Sequence, residues 1–206
     1  VGLDGAIDWC CLPRFDSGSV FAAILDPERG GTWSIRPAVD WTSTQRYLPR
    51  TNILETTFRT AGGVAVLTDF MPVGEDGRPS SPHPEIHRQL RCTRGRVPMQ
   101  VAFMPRFEYG ARTTRLEQLR NGLFATDRTD QVLTLSSSKP CDWIIEQSTA
   151  TARFTVEKGD DRWLVLRYDD DDIHPADRYE SARKLDITAA FWARWAAGVR
   201  YSGPFR

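Results

Sequence analysis

The residues best equipped for chemistry lie close together near the start of the chain. In "DGAIDWCCLPRFDS", residues 4–17, Trp9, Arg14, Phe15 and Asp16 fall within eight positions. An aromatic ring stacks on an apolar ligand face, while a guanidinium and a carboxylate donate and accept hydrogen bonds from hydroxyls. A second cluster of the same types, "RFEYG" at 106–110, supplies Arg106, Glu108 and Tyr109. Together they suit recognition of a polyhydroxylated ligand, and they suit an interface between domains equally well. The competing reading puts Trp9 and Phe15 in the core, the usual place for aromatics, with Arg14 and Asp16 bracing a loop.

Acid and base catalysis is not legible from the carboxylates. Asp16, Glu55, Asp69 and Glu108 sit in well-patterned segments, but each is equally able to hold a turn or pair with Arg14, Arg59 or Arg106. No catalytic residue is assigned within the chain. "HPEIH" at 83–87 spaces two histidines for a metal only if helical, and Pro84 argues for a loop. "DDDD" at 169–172 lacks the glycine-spaced pattern of a calcium loop and reads as a solvated turn. Neither a metal nor another cofactor is expected.

The elements that must position these residues are mainly strands. Leu54, Thr56 and Phe58 alternate with Glu55, Thr57 and Arg59, glycines follow at 62 and 63, and "VAVLTDF" completes a hairpin. "MQVAFM" at 99–104 is apolar almost throughout and predicts a strand covered on both faces. Phe154 and Val156 alternate with charged and polar residues, "KGDD" intervenes, and "RWLVLRY" follows, which predicts a second hairpin. Pro13 ends the first strand, because it cannot donate to a central ladder. Many short strands between turn residues predict an all-β antiparallel sandwich. From Asp177 the period changes: Leu185, Ala189, Trp192, Ala196 and Val199 recur at helical spacing and form an apolar stripe. That stripe either packs on the sandwich or faces a neighbour.

Composition narrows the class. With 206 residues and 40% hydrophobic content, the chain can bury one sizeable core. Lys plus Arg and Asp plus Glu both number 27, so the basic excess that nucleic-acid backbones require is lacking. No apolar run approaches the roughly 20 residues of a membrane span, and the first residues lack the order of a signal peptide. Four irregularly spaced cysteines make neither a disulfide framework nor a zinc site and read as buried thiols in a reducing compartment, hence a cytoplasmic location.

Several motifs, in order, carry a resemblance: "DGAIDWCCLPRFDS", "GGTWSIRP" at 30–37, "QRYLPRTNILETTF" at 45–58, "TDFMPV" at 68–73 and "PRFEYG" at 105–110. The chain resembles the N-terminal domain of bacterial and archaeal glycoside hydrolase family 15 proteins, the glucoamylase and trehalase-like group. The terminal "FWARWAAGVRYSGPFR" is similar to the segment leading into that family's catalytic barrel. The resemblance implies a β-supersandwich at 1–176 and a linker helix at 177–206, an excerpt of a longer protein. It implies as partner the chain's own (α/α)6 barrel beyond Arg206, carrying the two glutamates that hydrolyse α-glucosidic bonds with inversion. Such a pair stands about 6.5 to 9.5 Å apart around an attacking water. An α-glucan or trehalose is the implied ligand, and Trp9, Arg14, Phe15, Asp16, Arg106 and Tyr109 are candidates for the substrate rim. The excerpt alone is expected to be inactive. An independent carbohydrate-binding module and a purely structural or oligomerisation domain are the alternatives. Two positions depart from the family pattern: Cys10, where Leu is more usual, and Gly18, where Pro is common. The second loosens the loop after Asp16.

Overall fold

The structure, a computed structural model, describes residues 1–127, 129 and 131–199. Its architecture is organised by one strand of twenty residues, β8 (Glu85–Met104). The first half of β8 pairs with β7 (Gly63–Phe70) and β14 (Asp161–Tyr168). The second half pairs with β4 (Thr32–Pro37) and β13 (Thr149–Glu157). Each half belongs to a different layer, so β8 is the hinge of an antiparallel sandwich.

The larger sheet runs outward from β8 through β7 and β6 (Leu54–Thr60) to β5 (Trp41–Tyr47). In the other direction it runs through β14 and β11 (Val132–Ser137) to β10 (Gly122–Thr126) and β9 (Arg115–Leu119). The smaller sheet adds β1 (Ala6–Ile7) to β4, and β12 (Ile144–Glu146) to β13. A separate two-stranded ribbon joins β2 (Cys10–Cys11) to β3 (Ser19–Phe21).

The crossover of β8 between layers explains one glycine. Gly95 has φ +66°, and a Cβ there would lie 2.1 Å from the Gly62 carbonyl oxygen. Only glycine allows both the left-handed backbone and the close approach. A register shift at Val64/Ala65 in the facing strand marks the same bend.

The hairpin expected at 54–70 forms as β6 and β7, in register from Leu54 opposite Asp69 to Arg59 opposite Val64. The hairpin expected at 153–168 does not. β13 and β14 follow one another in sequence, yet each pairs with a different half of β8 rather than with its neighbour. The "KGDD" turn therefore steps between layers, held by Lys158 N–H to Gly95 O at 2.9 Å and Gly159 N–H to Cys92 O at 3.0 Å. Alternation and a turn signal fix the strands but not their partners. Residues 99–104 are also corrected: Met99, Val101 and Phe103 are buried, while Gln100, Ala102 and Met104 are half-exposed. A sandwich covers one face of each sheet, and small or flexible apolar residues tolerate the other.

The core lies between the layers. Phe103 meets Trp33 and Phe21 edge to face, with centroids 6.2 and 6.0 Å away. Each such side chain contributes about 1.5 to 3 kcal/mol when fully buried. Arg88 points inward from β8, fully buried, with its guanidinium 4.8 Å above the Trp33 ring.

The helix α1 (Ser181–Ala197) follows a short 3-10 turn, Ala176–Tyr179. It is seated by polar contacts on the outer face of the larger sheet. Ser181 Oγ lies 2.8 Å from His87 Nδ1, and Lys184 Nζ donates to Glu85 at 2.5 Å. Glu85 also meets His87 Nε2 at 2.9 Å and is ion-paired with Arg167 Nε at 3.1 Å, while Arg167 pairs with Asp170. Further along, Thr188 accepts from Val73 N–H at 3.1 Å, and Arg194 donates to Glu75 O at 2.9 Å. The apolar stripe predicted on this helix is covered in part: Leu185, Ala189, Trp192 and Ala196 are half-buried, Val199 is exposed, and Trp195 beside them is 61% exposed. Residues 200–206 of the terminal motif lie outside the described residues. Among the described residues no helix is long and apolar enough to cross a membrane.

Candidate functional site

The motif at 4–17 makes two very short strands rather than one. β1 ends at Ile7, β2 begins at Cys10, and Asp8 and Trp9 lie in the irregular link between them. Thr32 Oγ1 donates to Asp8 at 2.8 Å and fixes that link. A simple alternation of faces therefore does not govern Trp9.

Trp9 is 47% exposed and leans on Tyr109, itself 50% exposed, with ring centroids 6.0 Å apart and planes tilted by 42°. Phe15 is 94% exposed. The expectation that Trp9 and Phe15 fill the core is thus corrected. The core between the sheets is already occupied by Trp33, Phe21 and Phe103, and the 12–18 loop runs beyond the last residue of β2.

Past Pro13, reached through a cis peptide bond, the loop folds on itself. Arg14 N–H donates to Ser17 Oγ at 3.2 Å, and Ser17 N–H donates to Arg14 O at 3.1 Å. Arg14 Nε donates to Asp16 at 3.0 Å, with both side chains largely in solvent. The two charges suited to meeting a ligand instead meet each other, an exposed pair worth about 0 to 1 kcal/mol and easily exchanged for an outside partner.

The neighbouring turn supports this loop. Glu108 and Tyr109 both hold left-handed backbone, with φ of 51° and 59°. For residues with side chains this costs of order 1 to 3 kcal/mol each and persists only where the surroundings dictate it. Here Gln131 Nε2 donates to Glu108 at 2.7 Å, and the Tyr109 hydroxyl reaches Ser17 O at 3.5 Å. A Cβ on Gly18 would fall 2.4 Å from the Glu108 carboxylate, so glycine permits the approach of loop and turn.

Of the six candidates, the structure brings five to one exposed edge: Trp9 and Tyr109 by ring contact, and Arg14, Phe15 and Asp16 on the loop tied to Tyr109. Arg106 borders a cavity with Glu108 and Tyr109, but its guanidinium is committed within the chain. Its Nη1 donates to the carbonyls of Pro105 and Ser148, both at 2.8 Å, and burial pulls its pKa below the ordinary value. Its motif places it near Tyr109 in sequence, but its side chain stitches the chain together.

Beside Trp9 opens a cavity of about 420 Å³, lined in part by Tyr47, Asn52, Asp69 and Met71. Tyr47 and Met71 are exposed. Both belong to motifs noted in the sequence, "QRYLPRTNILETTF" and "TDFMPV", yet no chemical pattern singles them out. Only the pairing of β5, β6 and β7 beside the 4–17 segment brings them to Trp9.

The carboxylates of the motifs are engaged. Glu55 pairs with Arg46 at 2.7 Å and Arg91 at 3.4 Å rather than Arg59, and Asp69 pairs with buried Arg88 at 2.8 Å. Burial alone would raise the Glu85 carboxyl, but hydrogen bonds from His87 and Lys184 lower it to about 2. A general acid needs the opposite shift. The "HPEIH" segment is not a loop throughout, since His87 lies on β8, fully buried and bonded to Ser181 and Glu85. Nor is "DDDD" wholly solvated, since Asp170 is drawn in to Arg167. Of the four free cysteines only Cys92 is buried; the other three are half-buried. Among the described residues no group of three or more His, Cys, Asp or Glu is placed to hold a metal ion.

A two-layer antiparallel sandwich with a C-terminal helix and an exposed aromatic loop defines the class as a β-sandwich domain. Residues 1–192 match the family described as trehalase-like, N-terminal, and the chain belongs to that family. It is 32% identical over 209 residues to a trehalase of Thermoplasma volcanium, covering all of this chain and 33% of that protein. It is 30% identical to a trehalase of Mycobacterium tuberculosis, covering 93% of this chain and 31% of that one. The chain thus spans about a third of the length of these relatives and corresponds to an N-terminal domain of larger trehalases. A putative kojibiose phosphorylase from the human microbiome aligns over 97% of this chain and 33% of its own, with a TM-score of 0.40 and 9% identity, which bears no weight for function.

Proposed function

We propose that this chain is the non-catalytic β-domain of an α-glucoside hydrolase, with residues 1–176 as the sandwich and 177–206 as a helical link. In this reading it seats a catalytic (α/α)6 barrel and lends the 12–18 loop to the rim of that barrel's active site. Two glutamates of the barrel perform the inverting hydrolysis, and the present chain supplies position and enclosure. Trehalose is favoured over starch-like glucans, because the relatives covering all or most of the chain carry the name trehalase. Four free cysteines suit a reducing cytoplasm.

The observation that carries this reading is the placement of Phe15. A phenyl ring 94% exposed at the tip of a loop braced by Tyr109 and Ser17 has no role in the sandwich's own core. With the exposed Trp9 and Tyr109, to which its loop is tied, it makes an aromatic patch of the kind that meets a neighbouring domain. Arg14 and Asp16 flank it and are free to exchange their mutual pair for sugar hydroxyls or barrel residues.

Arg14→Ala and Asp16→Ala in the full-length protein test the proposal. The expected result is a loss of turnover or a raised KM with an unchanged melting temperature. Unchanged kinetics in both variants would remove the loop from the rim and leave a purely structural domain.

A further inference from the structure

We infer a second saccharide-binding site that shares no residue with the loop edge, in a cavity of about 850 Å³ between the β9–β10 turn, the segment after β11 and the start of α1. This volume lies within the roughly 300 to 1,000 Å³ typical of small-molecule sites. Trp143 and Trp163, both half-buried, border it. Trp163 is steadied by an edge-to-face contact with Phe70 at 6.3 Å, so at least one of these rings is presented in a fixed orientation.

The polar lining suits hydroxyls. Ser138 Oγ accepts from Trp163 N–H at 2.9 Å, which leaves its own proton to donate. Asn121 Nδ2 donates to Ile173 O at 2.7 Å, which leaves an amide oxygen and a second N–H. Both groups are therefore immobilised with capacity to spare. The charged residues lining it carry both signs, Arg120, Lys139 and Arg183 beside Asp177 and Glu180, with Arg183 3.1 Å from Glu180 and Lys139 2.8 Å from Asp160. Charges of both signs around two indole rings give no net attraction for an anion or a cation, so the lining points to a neutral sugar. The site would hold part of a glucoside chain, or a second substrate molecule, away from the loop edge.

The choice of α-glucosides as ligand rests on the function proposed above, whereas the site rests on the cavity itself. Isothermal titration of the 206-residue chain with trehalose, maltotriose and the β-linked cellobiose separates the two. Saturable binding of an α-glucoside is expected, weakened by about tenfold in Trp143→Ala, in keeping with the value of an aromatic contact, and unchanged in Trp195→Ala. If Trp143→Ala fails to fold by circular dichroism, Asn121→Ala and Trp163→Phe serve as the deciding variants. Absence of saturable binding to all three sugars, or equal binding by the cavity variants and the unmodified chain, overturns the site. Equal affinity for cellobiose and the α-glucosides, lost in the cavity variants, supports the site and counts against the α-glucoside reading.

Discussion

Arg88 on β8 and Asp69 on β7 form an ion pair at 2.8 Å with both side chains withdrawn from solvent, inside the sandwich rather than on it. Arg88 also donates to the carbonyls of Trp33 at 2.8 Å and Gly5 at 2.6 Å, so one guanidinium ties the larger sheet to β4 and to the N-terminal segment that leads to Trp9. In the sequence Asp69 is one of several carboxylates able to hold a turn or pair with an arginine, and no pattern singles out Arg88 as its partner.

Removing one partner should be costly. Asp69→Ala is expected to destabilise the chain by about 3 to 5 kcal/mol, because it leaves a buried guanidinium uncompensated. Replacing both, as Asp69→Leu with Arg88→Met, should recover part of that loss. Recovery remains incomplete because the Trp33 and Gly5 carbonyls lose this donor, at about 1 to 3 kcal/mol for each that is left unsatisfied. Urea unfolding of the single and double variants measures both quantities.

The seat of α1 makes stability depend on pH in two windows. Burial lowers the pKa of His87 below its ordinary 6.5, outweighing the opposing pull of Glu85, so the folded chain keeps it neutral. An unfolded chain takes up that proton first as pH falls, and stability declines from about pH 6.5 downward, by at most about 1.4 kcal/mol per pH unit for one proton. The Glu85 carboxyl, lowered from 4.5 to about 2, adds a second loss between those values. Lys184 and Arg167 face His87 and Glu85 from α1 and β14, and Asp170 holds Arg167. Denaturant midpoints measured from pH 8 to 3 should show both declines. Glu85→Gln should shrink the lower one, leaving the share of Asp127 and Asp160, whose carboxyls hydrogen bonds also hold below the ordinary value.

Two glycines separate strain from crowding. Gly159 has φ +95° with nothing within 4 Å of where a Cβ would stand, whereas Gly95 combines φ +66° with the Gly62 carbonyl at 2.1 Å. Alanine at 159 meets only the backbone cost of a left-handed residue. Alanine at 95 must in addition push β7 and β8 apart where β8 changes layers, so its loss should exceed that at 159 by more than about 1 kcal/mol. Thermal melts of the two variants under one condition decide the comparison.

The strands and the terminal helix are readable because alternation and helical spacing are local signals. Leu54 to Phe58 and Phe154 to Val156 each declare a buried face without reference to the rest of the chain. Pairing is not local, and so 153–168 reads as a hairpin although β13 and β14 belong to different layers. The motif at 4–17 identifies the loop edge, but the exposure of Trp9 depends on a break between β1 and β2 that no spacing reveals. The His87, Glu85 and Ser181 contacts join β8 to α1 across 94 residues and do not follow from either segment alone.

The loop at 12–18 should separate stability from activity more cleanly than any other part of the chain. Phe15 is 94% exposed, and the Arg14 to Asp16 pair is solvated, so neither contributes appreciably to the isolated fold. Phe15→Ala in the 206-residue chain should leave unfolding free energy within about 0.5 kcal/mol of the unmodified value. In the full-length protein the same change removes an aromatic contact at the proposed rim, and hydrolysis of trehalose should fall several-fold or more. Tyr109→Ala acts one step back: it releases the Ser17 contact and the ring beneath Trp9, so it should lower activity through a misplaced loop. Its signature is a raised KM that Tyr109→Phe largely restores, since the phenyl ring keeps the contact with Trp9 while only the long hydroxyl contact is lost. Steady-state kinetics of the three variants beside denaturation of the isolated chain test the separation; a parallel loss of stability in Phe15→Ala would return the loop to the scaffold.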